Sequence, residues 1–429
     1  MNGLQRQTGI YLRGVSGRRP RVSTDATRLE EHAREHMSTQ AFAYIAGGAG
    51  TGRTMRANRE AFDHWQIVPR MLRDVSRRDT SVELFGRRLP SPFLLAPIGV
   101  LEMLDRQADL AVARAAREEG IPMVFSNQAS KPMEACAQAL GGSPHWFQLY
   151  WSTSNDLVES FVARAERCGS EAIVVTLDTT MLGWRTHDLD LAYLPFLRGK
   201  GIAQYTSDPV FQRLLADDSG NGDTPQPPPT PAALRTLVEL TRAYPERFWP
   251  ALRSGRARAA VQRFIRIYSR PSLTWDDLPF LRERTKLPIV LKGILHPDDA
   301  ARAVDAGMDG VWISNHGGRQ VDGAIATLDA LPGIASAVGG QVPILLDSGI
   351  RGGADAFKAL ALGATAVCIG RPYAYGLAAA GEAGVREVIQ NFCADFDLTM
   401  GLAGCASVEE IDQDALREVA SGARTTASD

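Results

Sequence analysis

The sequence predicts an α/β fold, namely a (β/α)8 TIM barrel with a long lid insertion after the fourth strand. Three observations predict it: eight short apolar segments, helical segments between them, and a regular spacing. The apolar segments are too continuous for half-exposed antiparallel strands and are typical of parallel strands covered on both faces. They are Phe93–Ala96, Pro122–Ser126, Trp146–Tyr150, Ala172–Asp178, Leu287–Lys292, Gly310–Asn315, Pro343–Asp347 and Ala366–Gly370.

Helical segments lie between these strands. Strand starts are roughly 23 to 33 residues apart except between the fourth and fifth, which suits one strand, one helix and two loops per unit. Eight such units predict a closed barrel. A doubly wound sheet is the alternative, but it requires a strand order that reverses, which nothing in the sequence demands. Apolar residues at three- and four-residue spacing predict helices at Ala108–Glu119, Asn155–Cys168, Pro297–Ala306 and Gly353–Leu362.

The interval from Thr179 to Lys286 is an insertion after the fourth strand. Loops at that end of a barrel strand overhang the active site, so we expect a lid; an excursion without function is the alternative. Within it, Leu234–Tyr244 and Ala259–Tyr268 look helical. Asp217–Ala232 is too poor in apolar residues to pack, and we expect it to be mobile.

Composition excludes several classes of protein. With 429 residues, 45% hydrophobic and 22% charged, the chain has enough apolar residues for a sizeable core. The formal net charge of −2 gives no broad basic surface, so we expect no nucleic-acid partner. No run approaches the roughly eighteen apolar residues of a membrane span, so we expect no membrane partner. We divide the chain into an N-terminal arm with helices packing on the barrel (1–90), the barrel (91–405) with its lid at about 187–270, and a C-terminal tail (406–429).

The five cysteines have no C-x-x-C and no metal-ligand spacing, so we expect buried thiols, no metal and a cytoplasmic location. The first 24 residues contain arginines but no acidic residue, and they lack the apolar stretch of a secretory signal. An ordered or frayed arm is our interpretation, and a transit peptide is the alternative.

The densest polar segment, Ser314–Gln320 (SNHGGRQ), follows the sixth predicted strand. Catalytic groups gather at this end of barrel strands. His316 can accept a proton near neutral pH, and the planar guanidinium of Arg319 matches a carboxylate, so the pair suits a hydroxy acid. The alternative is a capping histidine beside a solvated arginine, although Gly317 and Gly318 allow a close backbone approach that a mere loop does not require.

Two glycine-rich loops, Asp347–Gly353 (DSGIRGG) and Gly370–Pro372, follow the seventh and eighth predicted strands. Barrels often bind phosphate there, because glycines free backbone N–H groups and the following helix N-terminus favours an anion. Each loop also supplies an arginine. Together they predict a phosphate-bearing cofactor.

Two charged residues end other apolar strands. Lys292 closes the fifth, where an anionic cofactor would satisfy its ammonium; a Schiff-base lysine or a salt bridge to a neighbouring strand is the alternative. Asp178 ends the fourth, and we expect it to accept the second ring N–H of His316 and to stabilise the imidazolium.

From about Thr39 to Cys405 the sequence resembles the FMN-dependent L-2-hydroxy-acid oxidases and dehydrogenases. The signature S-N-H-G-x-R-Q of that family is Ser314–Gln320. Six further blocks follow the order of the family: YIAGGAG from Tyr44, FQLYW from Phe147, TLDT from Thr176, LKG from Leu291, DSGIRGG from Asp347 and IGRP from Ile369. Seven ordered blocks make the resemblance specific.

The resemblance implies FMN as the cofactor and assigns roles to individual residues. The flavin would be lined by Ala96, Ser126, Gln148, Thr176, Lys292 and Ser314, with Lys292 near its N1–O2 edge. The phosphate would be held by Asp347, Gly349, Arg351, Gly370 and Arg371. The substrate carboxylate would be bound by Tyr44, Arg185 and Arg319, and the substrate hydroxyl by Tyr150. Asp178 would orient His316, the catalytic base.

Within the family the sequence is most similar to lactate 2-monooxygenases, in PIGVLEM (97–103), QLYWST (148–153), DTTMLGWR (178–185) and GIAQYTSDP (201–209). That likeness implies oxidation of L-lactate with O2 to acetate, CO2 and water. Gly99 stands where many members have alanine, and Ser348 replaces a common glycine. The family also implies a homo-oligomer, a tetramer or larger.

Several alternatives stay open. An oxidase or dehydrogenase would release the 2-keto acid, and a larger 2-hydroxy acid could be the substrate. The α-hydrogen could leave as hydride or as a proton through a carbanion, since both paths use the same residues. The non-enzymatic alternative is a flavoprotein that only stores or senses FMN. The sequence argues against it, because every group needed for proton transfer and carboxylate binding is present.

Overall fold

The computed structural model describes residues 2–217 and 230–419, and its centre is a closed barrel of eight parallel strands. Strand β8 pairs with β1, with Val367 opposite Phe93 and Ile369 opposite Leu95, so the sheet has no free edge. This confirms the predicted (β/α)8 barrel. The strands are β1 (Phe93–Leu95), β2 (Met123–Phe125), β3 (His145–Leu149), β4 (Ile173–Thr176), β5 (Ile289–Ile294), β6 (Gly310–Ile313), β7 (Ile344–Leu346) and β8 (Ala366–Ile369).

The barrel interior is a packed apolar core. Side chains that alternate along the strands point inward, and Trp146 and Trp312 are the largest of them. A short antiparallel hairpin, Val82–Leu84 with Arg87–Leu89, closes the end of the barrel at which the strands begin. Its turn residue Phe85 contacts Trp146, with 5.4 Å between ring centroids. Polar groups therefore reach the interior only from the opposite end.

Helices surround the barrel and extend it at the N-terminus. Those predicted from the sequence differ from the observed helices by a few residues at their ends, where helices fray. Outside the insertion the helices are α1 (Gly3–Val15), α2 (Ala26–His36), α3 (Thr39–Ala46), α4 (Arg53–Asp63), α5 (Asp109–Glu119), α6 (Met133–Leu140), α7 (Asn155–Arg167), α15 (Pro297–Asp305), α16 (Thr327–Val338), α17 (Gly353–Ala361) and α18 (Arg371–Ala403).

The two ends of the described chain meet on the outside of the barrel. Helices α1 and α2 pack against α18, and the strand Trp65–Ile67 pairs antiparallel with Leu416–Glu418. We keep the division into arm, barrel and tail as a proposal. Between residues 2–217 and 230–419, no helix is long and apolar enough to cross a membrane, and no cluster of side chains could hold a metal ion. The five cysteines are free thiols.

The insertion between β4 and β5 is largely helical. The two helices predicted within it are α11 and α13, whereas most of the segment expected to be mobile, Asp217–Ala232, lies outside the described residues. The helices of the insertion are α8 (Thr186–Asp190), α9 (Ala203–Thr206), α10 (Pro209–Asp217), α11 (Pro231–Ala243), α12 (Phe248–Ser254), α13 (Arg256–Ile267) and α14 (Leu278–Arg282).

A buried guanidinium anchors the insertion to the barrel. Arg164, on α7, is almost fully buried and pairs with Asp208, which is 0% exposed, at 3.0 Å, and with Glu134 of α6 at 2.8 Å. It also donates to the carbonyl of Gln204 and the hydroxyl of Ser207, both in the insertion, at 2.8 Å. One side chain thus joins two barrel helices to the loop that follows α9.

We expect Arg164→Met to lower the free energy of unfolding by about 3–5 kcal/mol, because the buried Asp208 carboxylate then keeps its hydrogen bonds from Ser160, Val210 and Phe211 but loses its cationic partner. Arg235→Met is the matched control: that arginine is 82% exposed and pairs with Glu239 on the same helix, so its loss should cost less than about 1 kcal/mol. Urea unfolding of both variants measures the difference. Equal losses would mean that Arg164 does not anchor the insertion.

Candidate active site

A cavity of about 1040 Å³ opens at the carboxyl ends of the barrel strands. Among its lining are the sequence-predicted residues Tyr44, Ala96, Ser126, Tyr150, Arg185, Lys292, His316, Arg319, Asp347, Gly349, Arg351, Gly370 and Arg371. Four predicted residues lie behind this lining and contact it, namely Gln148, Thr176, Asp178 and Ser314.

The imidazole of His316 faces the cavity from a strained turn after β6. Its φ is +57°, and Gly317 and Gly318 continue in the same left-handed region. A Cβ on Gly317 would lie 2.7 Å from the Arg371 guanidinium, so only glycine fits there. His316 Nδ1 lies 2.9 Å from Asp178 Oδ1, the pairing that the sequence predicted. The other ring nitrogen is thereby left for a ligand.

The charges around this pair favour a neutral imidazole beside an ionised carboxylate. Burial lowers the pKa of His316; Asp178 opposes this effect, whereas the cations Lys292 and Arg185 add to it. Burial works against ionisation of Asp178, but the charges of His316 and Lys292 and hydrogen bonds from His316 and Thr179 outweigh it and lower its pKa to about 2. The pair is therefore ready to accept a proton at neutral pH.

Beside His316 lie two guanidiniums, Arg185 and Arg319, for which no ion pair is found among the described residues, although their charges act on the nearby carboxylate of Asp188. Arg319 donates to the carbonyl oxygens of Tyr44 and Gly47 and lies over the Tyr44 ring, 4.9 Å from its centroid. Burial and the neighbouring Arg185 lower the pKa of Arg319 to about 9. Arg185 donates to Gln320 Oε1 at 2.9 Å. Two cations this close suit an anionic ligand.

Tyr150 contributes a protonated phenol to the same wall of the cavity. Burial, and then the negative charge of Asp178, raise the pKa of Tyr150. Its backbone N–H donates to Asn127 Oδ1 at 2.9 Å, which fixes the segment after β3. The phenol is therefore a hydrogen-bond donor throughout the neutral pH range.

Lys292 lies at the centre of the barrel mouth and is 3% exposed. Its Nζ donates to Ser314 Oγ at 2.8 Å and lies 3.2 Å from Asp347 Oδ2 and 4.0 Å from Asp178 Oδ2. Burial works to lower the pKa of Lys292, but the two carboxylates outweigh it and raise the pKa. A charged ammonium does not form a Schiff base, so of the alternatives considered for Lys292 the salt bridge is the one present.

Residues beneath the cavity form a hydrogen-bonded layer. Gln148 donates to Thr176 Oγ1 at 3.0 Å and accepts from Ser126 Oγ at 3.2 Å. The carbonyl of Ala96 accepts from the Tyr373 hydroxyl at 2.8 Å. This layer holds the amide of Gln148 in one orientation under the cavity floor.

The loops after β7 and β8 form an anion cradle. Arg371 is held by the carbonyls of Ile45, Gly317 and Gly47 at 2.9–3.0 Å, and α18 begins at Arg371 without a side-chain cap. Arg351 also lines the cavity, and burial lowers its pKa. Gly349 has a φ of +99°. Two arginines and an uncapped helix N-terminus match a phosphate group.

Ser348 adopts a φ of +73°, a conformation usual for glycine. Its hydroxyl donates to Asp347 Oδ1 at 2.6 Å and accepts from the Gly317 N–H at 2.9 Å. The serine therefore joins the β7 loop to the turn that carries His316, a contact that glycine cannot make.

Several residues of the cavity escaped the sequence reasoning. Thr179 contacts both Asp178 and His316, and Gln320 bonds to the loop that carries Asp178 and Arg185. Both residues lie in blocks that carry the family resemblance, TLDT from Thr176 and Ser314–Gln320, but neither was assigned a role from the sequence. Phe196 and Tyr268 reach the cavity from the insertion, where no sequence pattern singled them out.

A barrel whose mouth holds an imidazole bonded to a carboxylate, with two guanidiniums beside it, is typical of enzymes that act on small anionic substrates. The sequence pattern of the FMN-dependent dehydrogenase family matches residues 33–418, and the chain belongs to that family. It is an FMN-dependent 2-hydroxy-acid oxidoreductase.

Known relatives match nearly the whole chain. The L-lactate oxidase of Lysinibacillus sphaericus is 43% identical over 381 residues, 89% of each chain. An FMN-dependent alpha-hydroxy acid dehydrogenase of Penicillium citrinum is 42% identical over 414 residues, 96% of this chain and 95% of that one. A crystal structure of mandelate oxidase superposes with a TM-score of 0.74 at 34% identity, covering 93% of this chain and 99% of its own.

The residues of the cavity fit FMN. The cradle offers Arg351 and Arg371 for a phosphate, and the buried ammonium of Lys292 offers a positive charge beneath the cavity floor. A reduced flavin carries negative charge, which this ammonium would stabilise.

Lys292→Met should weaken FMN binding by about tenfold or more, because Asp178 and Asp347 then face the cavity without a cation. Lys358→Met is the matched control, since that half-buried lysine bonds only to the carbonyl of Phe62. The flavin-to-protein ratio after purification and a fluorescence titration with FMN measure the effect. Full flavin content in the Lys292 variant would contradict the prediction.

Proposed function

We propose that this chain oxidises L-lactate with O2 to acetate, CO2 and water, as a lactate 2-monooxygenase does. One observation carries the proposal: a neutral imidazole paired with Asp178 shares a cavity with the guanidiniums of Arg185 and Arg319, which form no ion pair with any described residue. A base next to a carboxylate site is what a 2-hydroxy acid requires. The L-lactate oxidase relative, at 43% identity, supports the choice of substrate.

Substrate binding follows from the charges. Arg185 and Arg319, with Tyr44 beside them, bind the carboxylate of the hydroxy acid. Tyr150, which stays protonated, donates a hydrogen bond to the oxygen of the substrate hydroxyl. Arg185 and Arg319 are already held by hydrogen bonds to Gln320 and to the carbonyls of Tyr44 and Gly47, which lowers the entropic cost of orienting the α-carbon.

His316 is the catalytic base and removes the proton of the substrate hydroxyl. The imidazolium that forms is stabilised by Asp178, whose low pKa keeps it ionised. FMN, when bound, would accept the α-hydrogen of the substrate with the two electrons of the oxidation, and would pass these electrons to O2. His316 then holds the proton until it is returned in reoxidation.

The cofactor would be held by the residues assigned from the sequence. Ala96, Ser126, Gln148, Thr176, Lys292 and Ser314 would line the ring, and Asp347, Gly349, Arg351, Gly370 and Arg371 would hold the phosphate. The hydrogen-bonded layer beneath the cavity supports this assignment, since it fixes the amide of Gln148 before any ligand binds.

The monooxygenase outcome depends on retention of the first products. Pyruvate and hydrogen peroxide react to give acetate, CO2 and water, with loss of the pyruvate carboxylate as CO2. Retention is favoured by the insertion, whose Phe196 and Tyr268 line the cavity. At Gly99, which lines the cavity, a Cβ would lie 3.1 Å from Gln128, so an alanine would fit there only if Gln128 shifted.

An oxidase or dehydrogenase that releases the 2-keto acid is the second candidate, favoured by the names of the two relatives described above. Mandelate oxidase, the structural neighbour, suggests an aromatic 2-hydroxy acid as a further substrate to test. We also propose a homo-oligomer, a tetramer or larger, as the family resemblance implies, and a cytoplasmic location, which rests on the cysteine pattern.

Aerobic turnover of L-lactate decides between these candidates. We expect acetate and CO2 in equal amounts, with pyruvate and peroxide below about a tenth of the product, because the closed cavity retains both until they react. Product analysis after full consumption, with catalase added in a parallel reaction, provides the measurement. Pyruvate as the main product would defeat the monooxygenase proposal and leave the oxidase.

His316→Gln should give a protein that keeps its flavin absorbance but loses activity by about 10⁴-fold or more, since glutamine accepts no proton. The control is His296→Gln, at the exposed start of α15. Anaerobic bleaching of the flavin measures the reductive half-reaction alone. The substrates are L-lactate and a panel of larger 2-hydroxy acids. Unchanged bleaching in the His316 variant would remove this residue from the mechanism.

A further inference from the structure

The hydroxyl of Thr179 lies between the two members of the proposed catalytic pair. Thr179 follows Asp178 on the loop after β4, is 5% exposed and lines the cavity. Its Oγ1 donates to Asp178 Oδ1 at 2.9 Å and lies 3.2 Å from His316 Nδ1. The oxygen that accepts from the imidazole therefore accepts from Thr179 as well.

The two oxygens of the Asp178 carboxylate differ in the hydrogen bonds that they accept. Asp178 Oδ2 has no hydrogen-bond partner in the described chain, and Lys292 Nζ is 4.0 Å away from it. Two donors meet on Oδ1 while Oδ2 has none. The hydroxyl thus takes part of the negative charge that Asp178 would otherwise offer to the imidazolium.

We propose that Thr179 is a positioning residue that, through Asp178, limits the basicity of His316. The inference rests on the proposed function, in which His316 is the base. A hydrogen bond to the ionised carboxylate makes Asp178 a weaker acceptor, so the imidazolium is stabilised less and the base stays neutral to lower pH. The same hydrogen bond makes His316 a slightly weaker base in the proton-transfer step.

Other charged and titratable groups also face the imidazole, and apart from the phenol of Tyr150, which also bonds to the Thr179 side chain, they keep their contacts when Thr179 is replaced. Lys292 comes from β5 and Arg185 from the start of the insertion. The remaining ones are Arg319 in the same loop as His316, Arg371 at the start of α18, which bonds to the Gly317 carbonyl, and the phenols of Tyr44 and Tyr150 in the cavity wall. Because burial raises the pKa of Tyr150, this phenol stays protonated in the acid limb, and a shift of that limb in a Thr179 variant reports on the shared carboxylate oxygen.

Thr179→Val in the FMN-loaded enzyme tests the proposal, because valine keeps the shape and removes the hydroxyl. In the pH profile of kcat/KM for L-lactate, the acid limb should shift to higher pH by about 0.5–1 unit. At pH values below the limb, the activity of the variant should therefore be about three- to tenfold lower than that of wild type. At pH 8 it should stay within about twofold of wild type. Thr179→Ser, which restores the hydroxyl, should return the limb to its wild-type position.

Thr241→Val is the control, since that buried hydroxyl bonds only to the Leu237 carbonyl, at 2.6 Å, on helix α11. Its pH profile should match wild type. If Thr179→Val does not fold, Thr179→Ala is compared with Thr179→Ser in the same way. An acid limb that does not move, or a loss of activity equal at all pH values, would overturn the role of Thr179.

The test of Thr179 can fail independently of the proposed function. The pH profile can be recorded with any 2-hydroxy acid that bleaches the flavin, so a different substrate or product does not affect it. Undiminished bleaching by His316→Gln would reject the base itself, whereas an inert His316→Gln with an unmoved limb in Thr179→Val rejects Thr179 alone.

Discussion

The ammonium of Lys292 is the interaction on which the site depends. A charge buried at 3% exposure is tolerated only with close partners, and Lys292 has Asp347 at 3.2 Å and Asp178 at 4.0 Å. Those carboxylates follow β7 and β4, and Asp178 in turn bonds to His316 after β6. One cation therefore fixes the relative positions of four strand ends. Gly293 makes the approach possible, since a Cβ there would lie 2.9 Å from Asp178.

The turn that carries His316 is strained, and the network around the lysine balances that strain. Left-handed conformations at His316 and Ser348 cost free energy and persist only where surrounding contacts hold them. Ser314 Oγ, which accepts from Lys292, also accepts from the His316 N–H at 3.1 Å, and Ser348 holds the Gly317 N–H. The imidazole is thus oriented by backbone contacts as well as by Asp178, which is the preorganisation that a catalytic base needs.

The sequence was sufficient for the barrel and for the residues at its strand ends, because every barrel strand is a buried apolar run and a parallel barrel brings all its carboxyl ends together. Polar residues such as Lys292 stood out against those runs. This argument could not identify Thr179, because its proposed role depends on a hydroxyl proton and not on a polar residue that interrupts an apolar strand. Phe196 and Tyr268 were missed for a different reason: the position of an insertion residue depends on tertiary packing, here on contacts like that of Arg164 with Asp208.

The place of the insertion in the chain links substrate binding to the lid. The loop after β4 carries Asp178 and Arg185 and leads directly into α8, so groups proposed to orient the base and bind the carboxylate share a backbone with the lid. Gln320 joins this loop to the β6 turn, since its amide bonds to the Asp178 carbonyl at 2.8 Å and to Arg185 at 2.9 Å. A carboxylate that draws Arg185 and Arg319 together therefore tightens the same loop that enters the lid. Arg164 fixes the insertion to the barrel at Gln204 and Asp208, and the Gly201 N–H, which donates to Glu102 at 3.0 Å, adds a further contact just before them.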